Sequence, residues 1–275
     1  MEGASIPVDS QGLNMASDES SRRFSGIAAL YGQEALSRLM DAHVCVIGVG
    51  GVGSWVAEAL ARSAVGTLTL IDMDHVTLSN TNRQLVALDS TLGMAKVNVL
   101  AERIREINPD ARVHTIEEFV TQQHHAEFLD RGYDMVVDCI DSFRDKAAII
   151  AWCRRQRVPV VTVGGTGGKT DPARFRLLDL SRTEKDPLLS RVRKELRQRY
   201  DFPRNPKRRF SVPAVFSLEQ TRQPADAAEC DLTGAGKATH LHCGGLGSAM
   251  HVTASAGLIA VSRVLEKLVA GSEEA

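Results

Sequence analysis

The sequence predicts an α/β protein: a doubly wound, mainly parallel sheet with helices on both faces and C-terminal strands that extend the sheet. Three observations predict it. Short apolar runs of strand length alternate with helical stretches across residues 43–163. Gly48, Gly50, Gly51 and Gly53 follow the first run at once. Asp72 and Asp141 stand where two later runs end.

Residues 21–39 read as helical, with Arg22 and Arg23 near the start and a break at Tyr31-Gly32. Residues 43–47 are apolar and long enough for a buried strand, and the glycines come next. Residues 54–64 form a helix with Trp55, Ala59 and Leu60 on one face, and residues 68–71 a second strand ending at Asp72. Strand, glycine turn, helix, strand and acid make a Rossmann-like nucleotide unit. Glycines bring the backbone close to a phosphate. The helix start offers free N–H groups and partial positive charge to it. Asp72, nineteen residues beyond Gly53, is placed to accept a bond from a ribose hydroxyl. Which nucleotide binds is left open by this unit.

Residues 93–107 form an amphipathic helix carrying Lys96 and stopped by Asn108-Pro109. Residues 112–116 alternate as a strand, and 121–129 read as a helix capped by Thr121. Residues 133–140 are a buried strand ending at Asp141, 143–157 a helix and 158–163 a further strand. Apolar strands between helices mean a parallel sheet covered on both sides, whose ligands bind at the strands' carboxyl ends. Beyond Gly168 the character changes. Residues 174–180 and 210–218 read as strands, 188–200 as a basic helix, 219–240 as a long loop and 245–269 as a closing helix. The expected organisation is a disordered leader (1–20), a Rossmann-like nucleotide-binding region (21–168) and a C-terminal extension of the same domain (169–275).

With 275 residues, 43% hydrophobic and 24% charged, the chain is an ordinary globular one able to build its own core. Its five cysteines include no CxxC pair, which argues against a disulfide framework or a zinc ribbon and for a reducing, cytoplasmic compartment. Residues 244–261 are apolar-rich, but His251, Thr253 and several Ser and Gly interrupt them, so they read as a buried helix rather than a membrane span.

The informative stretch follows the second strand: Asp74, Asn80, Asn82, Arg83 and Gln84, with Lys96 on the next helix. Arg83 offers a planar fork of donors for phosphate oxygens, Lys96 a point charge, and Asp141 a carboxylate of the kind that holds magnesium beside a nucleotide. Singly, the asparagines read as turn residues and the cations as solvated side chains. Together they suit attack on the α-phosphorus of a triphosphate and are superfluous for hydride transfer by an NAD-dependent dehydrogenase.

The strings GVGGVGS, IDMDHVTLSNTNRQ, GMAKV and VVDCIDS occur in this order. Across residues 22–168 the chain thereby resembles the ubiquitin-activating-enzyme-like superfamily of adenylating enzymes. The resemblance implies that Gly48, Gly50, Gly51, Gly53 and Asp72 bind adenosine and phosphate. Asp74, Asn80, Arg83, Gln84 and Lys96 would handle the triphosphate, with Arg83, Lys96 and Asp141 the catalytic set and Asp141 the holder of Mg²⁺. Arg23 resembles the arginine that such homodimers lend to the neighbouring subunit's ATP. Members that act on sulfur-carrier or ubiquitin-like proteins usually carry paired CxxC zinc ligands. Here Cys230 and Cys243 stand singly, so no four-thiolate zinc is expected.

The further strings RRFSGIAALYGQEAL, SNTNRQ, VTVGGTGG and Thr170-Asp171-Pro172 resemble a narrower family, the tRNA threonylcarbamoyladenosine dehydratases. That resemblance implies ATP-dependent, ligase-type adenylation of the threonyl carboxylate on a tRNA base, then ring closure with loss of water. It implies a modified tRNA as partner and leaves open a cysteine-desulfurase sulfur-acceptor protein and a role for Cys243. The rival reading is an adenylyltransferase for the C-terminal glycine of a sulfur carrier. A non-enzymatic nucleotide-sensing scaffold is a third. Residues 174–209 hold thirteen Lys/Arg against five Asp/Glu, a local charge of +8 in a chain of net −1. Arg191, Arg193, Lys194, Arg197, Lys207, Arg208 and Arg209 are the expected tRNA contacts, although a basic helix can equally face solvent or an acidic partner.

Overall fold

The computed structural model describes residues 22–223 and 246–270. The leader, Cys230, Cys243, most of the long loop and residue 245 lie outside the described residues. A seven-stranded sheet, in the order β3-β2-β1-β4-β5-β7-β6, runs through the chain. Its strands are β1 (His43–Ile47), β2 (Thr67–Ile71), β3 (Arg112–Ile116), β4 (Met135–Asp138), β5 (Val160–Val163), β6 (Phe175–Asp179) and β7 (Pro213–Ser217). Every pairing is parallel except that of β6 with β7, so the two C-terminal strands extend the sheet and reverse its edge.

The apolar runs are uninterrupted because both faces are covered. In β1, Val44 and Val46 join the core on one side, while Cys45 and Ile47 join the core on the other. The first core packs against α3 (Gly53–Arg62), α4 (Lys96–Ile107) and α8 (Met250–Ala270). The second packs against α5 (His125–Leu129), α6 (Phe143–Gln156) and α7 (Pro187–Arg199). Before β1, α1 (Ser25–Tyr31) and α2 (Gln33–Asp41) meet at Gly32, whose φ of 91° breaks the helix where the sequence expects it.

Element ends differ from expectation where local geometry decides. Gly93, at φ 82°, turns the chain so that α4 starts at Lys96. The short helix begins at His125, so Thr121 does not cap it; only its backbone carbonyl accepts from His125 N, at 3.0 Å. The closing helix begins at Met250, five residues later than expected. No helix among the described residues is long and apolar enough to cross a membrane.

The chain leaves β1 for β2 and β3 on one side and returns to β4 on the other. That reversal opens a crevice outside the carboxyl ends of β1 and β4. The glycine turn fills its floor. Gly48 holds φ 81°, and a Cβ on Gly53 would lie 1.8 Å from the Gly48 carbonyl oxygen. No side chain fits at Gly53 without opening the turn.

Candidate functional site

Contacts radiate from the glycine turn. A Cβ on Gly48 would meet Ile140 Cγ2 at 3.0 Å, which places the exposed Asp141 at the rim of the same crevice. On the other side Val49 N donates to Asp72 Oδ2 at 2.7 Å, and Asp74 N donates to Asp72 Oδ1 at 2.8 Å. Burial raises the Asp72 carboxyl above its usual range, and the nearby Lys96 ammonium opposes the rise. Lys96 is buried at the first residue of α4 and donates to Asp74 Oδ2 at 2.8 Å. The Lys96–Asp74 ion pair is thus held at the end of β2, beside the turn.

Arg83 lies over the glycines. A Cβ on Gly51 would meet its Cγ at 3.2 Å and Cδ at 3.3 Å. Its guanidinium donates to the Ser79 carbonyl (2.9 Å) and Asn82 Oδ1 (3.0 Å) and is bonded to no carboxylate among the described residues. Its own carbonyl accepts from Trp55 Nε1 at 3.1 Å. The loop is tied to α8 as well: Asn82 Nδ2 donates to Ser248 O at 2.7 Å, and Met250 N to Asn82 O at 3.0 Å. Gln84 is buried 3.8 Å from the Cβ position of Gly50, and its Oε1 has no partner among the described residues. Such a buried, unsatisfied acceptor suits a donor group on a ligand. Asn80 serves the loop, its Oδ1 accepting from Thr77 N at 3.1 Å, so the turn-residue reading describes what this oxygen does here.

The glycines, Asp72, Asp74, Asn80, Arg83, Gln84, Lys96 and Asp141 are therefore neighbours. Arg23 is not among them. Its guanidinium donates to Ile107 O (3.1 Å) at the far end of α4, roughly 17 Å along the helix from Lys96. That exceeds the reach of its side chain toward the chain's own crevice. No cluster of three or more His, Cys, Asp or Glu occurs among the described residues. A lone carboxylate at Asp141 fits magnesium held chiefly by phosphate oxygens and water.

The basic segment divides. Arg191, Lys194, Lys207, Arg208 and Arg209 are exposed. Arg193 is half-buried and donates to Thr183 Oγ1, and burial lowers its pKa. Arg197 lies over the Phe210 ring, 5.1 Å from its centroid, and donates to Pro203 O. These two hold the fold as well as carrying charge, which helical spacing alone does not reveal.

Two networks escape sequence reading. Asp138 Oδ2, fully buried, accepts from Lys146 Nζ (2.9 Å) and Thr162 Oγ1 (2.7 Å), locking β4, α6 and β5 beneath Asp141. Burial raises the Asp138 carboxyl, and Lys146 opposes the rise. The signal was an acid inside an apolar strand and a lysine on the apolar face of the next helix; each demands a partner. Glu219 accepts from Thr170 N and Asp171 N, both at 2.9 Å, while Lys169 donates to its carbonyl, fixing the loop after β5. Gly168 N donates to Gly247 O (2.9 Å) and His251 Nε2 lies 3.1 Å from Thr170 O, so this loop leans on the start of α8. A groove of about 430 Å³ lined by Leu85, Leu88, Thr91, Val99, Arg103 and Glu106 lies outside the crevice, on the outer side of α4.

Against known proteins, residues 23–272 match the model of the ThiF family. A tRNA threonylcarbamoyladenosine dehydratase of Haemophilus influenzae is 48% identical over 252 residues, covering 92% of this chain and 95% of its own. The crystal structure of the Escherichia coli tRNA N6-threonylcarbamoyladenosine dehydratase TcdA in complex with ATP is similar at a TM-score of 0.83. It is 45% identical, with 92% of this chain and 96% of that one covered. Its complex with AMP gives a TM-score of 0.82, 43% identity and coverage of 96% and 98%.

Proposed function

The chain belongs to the ThiF family, and within it to the tRNA threonylcarbamoyladenosine dehydratases, and from this we propose that it uses ATP to cyclise N6-threonylcarbamoyladenosine in tRNA. One observation carries the reading. A chain alike over nearly its whole length to dehydratases, one of them solved with ATP, lays Arg83 over the glycine turn and keeps Lys96 nearby on Asp74, which supports a phosphate-binding role for the turn.

The chemistry follows from the site. Free N–H groups of the glycine turn and the start of α3 hold the phosphates, and Asp72 accepts from the ribose. The threonyl carboxylate attacks the α-phosphorus, forming an acyl-adenylate and releasing pyrophosphate. Arg83 and Lys96 take up charge that spreads over the phosphate oxygens, a preorganised electrostatic contribution. Asp141 would hold Mg²⁺, which when bound supplies further positive charge to the phosphates. A neighbouring nucleophile within the same modified base then attacks the acyl carbon, closes the ring, loses a proton and expels AMP. The tRNA loses the elements of water, which leave in AMP and pyrophosphate.

The exposed Arg191, Lys194, Lys207, Arg208 and Arg209 contact the tRNA in this reading. Both substrates place the work in the cytoplasm. The active form is a C2 homodimer in which Arg23 serves the neighbouring crevice. Its distance from its own Lys96 supports this, as do the exposed Leu88, Leu92 and Met94.

Incubation with ATP, Mg²⁺ and tRNA bearing the threonylcarbamoyl base should yield AMP and a base lighter by one water. Production of ADP, or AMP formed only with a sulfur-carrier protein, would overturn it.

A further inference from the structure

An aromatic ring overlain by two cations stands just beyond Asp141. Phe143 opens α6, two residues after Asp141. One side of it packs on the core between α6 and α7, and the residue is half-exposed. The Arg144 Cζ lies 5.4 Å from its ring centroid and the Arg191 Cζ 5.9 Å. Arg191 comes from the first turns of α7, so ring and second cation meet only because the two helices pack together. Both arginines are exposed, and neither pairs with a carboxylate among the described residues.

We propose that Phe143, Arg144 and Arg191 form the stacking platform for the modified adenine while its carboxylate meets ATP. The proposal rests on the dehydratase reading and names where that substrate's base lies. Phenyl rings and guanidinium planes stack purines through their π faces, which is how proteins take bases splayed out of RNA loops. Only Ser142 separates Phe143 from Asp141, so their Cα atoms are roughly 7 Å apart at most. A base stacked on the guanidinium planes that this ring supports therefore carries its threonylcarbamoyl arm toward the phosphates. The platform also lies on the β4 side of the crevice, away from the glycine turn and Asp72, which the nucleotide occupies. Phosphates on either side of the base meet Lys194 and the Lys207–Arg209 turn.

The test compares wild type, Phe143→Leu and Phe143→Trp in steady-state dehydration assays. Tenfold is about what one lost base–aromatic stack costs. Phe143→Leu should raise the KM for the modified tRNA about tenfold and leave the KM for ATP unchanged. Phe143→Trp should restore the tRNA KM. A Leu variant with wild-type tRNA KM, a Trp variant that fails to restore it, or an equal loss on ATP overturns the platform. Should Phe143→Leu fail to fold, the Arg144→Gln/Arg191→Gln pair on the exposed rim replaces it. A several-fold rise in tRNA KM alone is then expected, and an unchanged one overturns the platform. An inactive wild type overturns the dehydratase reading itself, whereas an active wild type beside an indifferent Leu variant overturns the platform alone.

Discussion

Arg83 shows how a residue that reads as ordinary becomes particular through its neighbours. Its stem lies against Gly51, its backbone is held by Trp55, and among the described residues its guanidinium bonds only to neutral oxygens of its own loop. Arg83→Ala should lower AMP formation by roughly 10²–10³-fold, the usual loss for one preorganised charge-stabilising donor. The thermal midpoint should scarcely move; single-turnover AMP release and a melt measure the two. Glu219 carries the opposite kind of role. The N–H of Thr170, then that of Asp171, holds its carboxyl well below the usual 4.5, at about 2. A depressed carboxylate stabilises the fold fully above its unfolded pKa, and that contribution is lost as pH falls through the folded one. The stability of the wild type should therefore decline from about pH 5 toward pH 2, and Glu219→Gln should be less stable at neutral pH with a flatter acid limb. Thermal midpoints across that range check this, and parallel curves would refute it.

At the scale of elements, α7 depends on one acid. Asp186 Oδ1 accepts from Leu189 N and its Oδ2 from Gly165 N, both at 2.9 Å, so it caps the helix and ties its start to the loop after β5. Asp186→Ala should cost roughly 1–2 kcal/mol for the cap and about 1–3 kcal/mol for the unpaired Gly165 N–H. Denaturant unfolding measures the loss. The regular elements were legible because their signals are local. A five-residue apolar run names β1, and Gly32 splits the first helices where a left-handed residue must. The glycine turn and the acid after β2 were legible for the same reason. What stayed hidden was non-local. Asp138 meets Lys146 and Thr162 across three elements, and Arg191 reaches Phe143 only through the packing of α6 on α7. Half of the basic segment's meaning was hidden likewise: sequence counts charges but does not tell Arg197, laid on Phe210, from Lys194, which faces solvent.

For the whole molecule, the order β3-β2-β1-β4-β5-β7-β6 divides the labour. On the proposed reading β1, β2 and β4 end in groups for a nucleotide, and the chain beyond β4 leads to the aromatic rim and the basic helix. On the dehydratase reading ATP binds the folded chain and not the unfolded one, so nucleotide at a hundred times Kd should add about 2.7 kcal/mol. In a chain of this size that raises the melting midpoint by roughly 5–10 °C, and differential scanning fluorimetry with and without ATP tests it.

The bond from Trp55 to the Arg83 carbonyl has a practical consequence. The protein holds two indoles, and Trp152 lies on α6 in the opposite core. Light emitted by Trp55 comes from a chromophore wired to the Arg83 loop, which on the proposed reading receives the triphosphate. Its colour and yield follow the filling of the crevice without any added dye, and a Trp55→Phe chain would be dark to the same event.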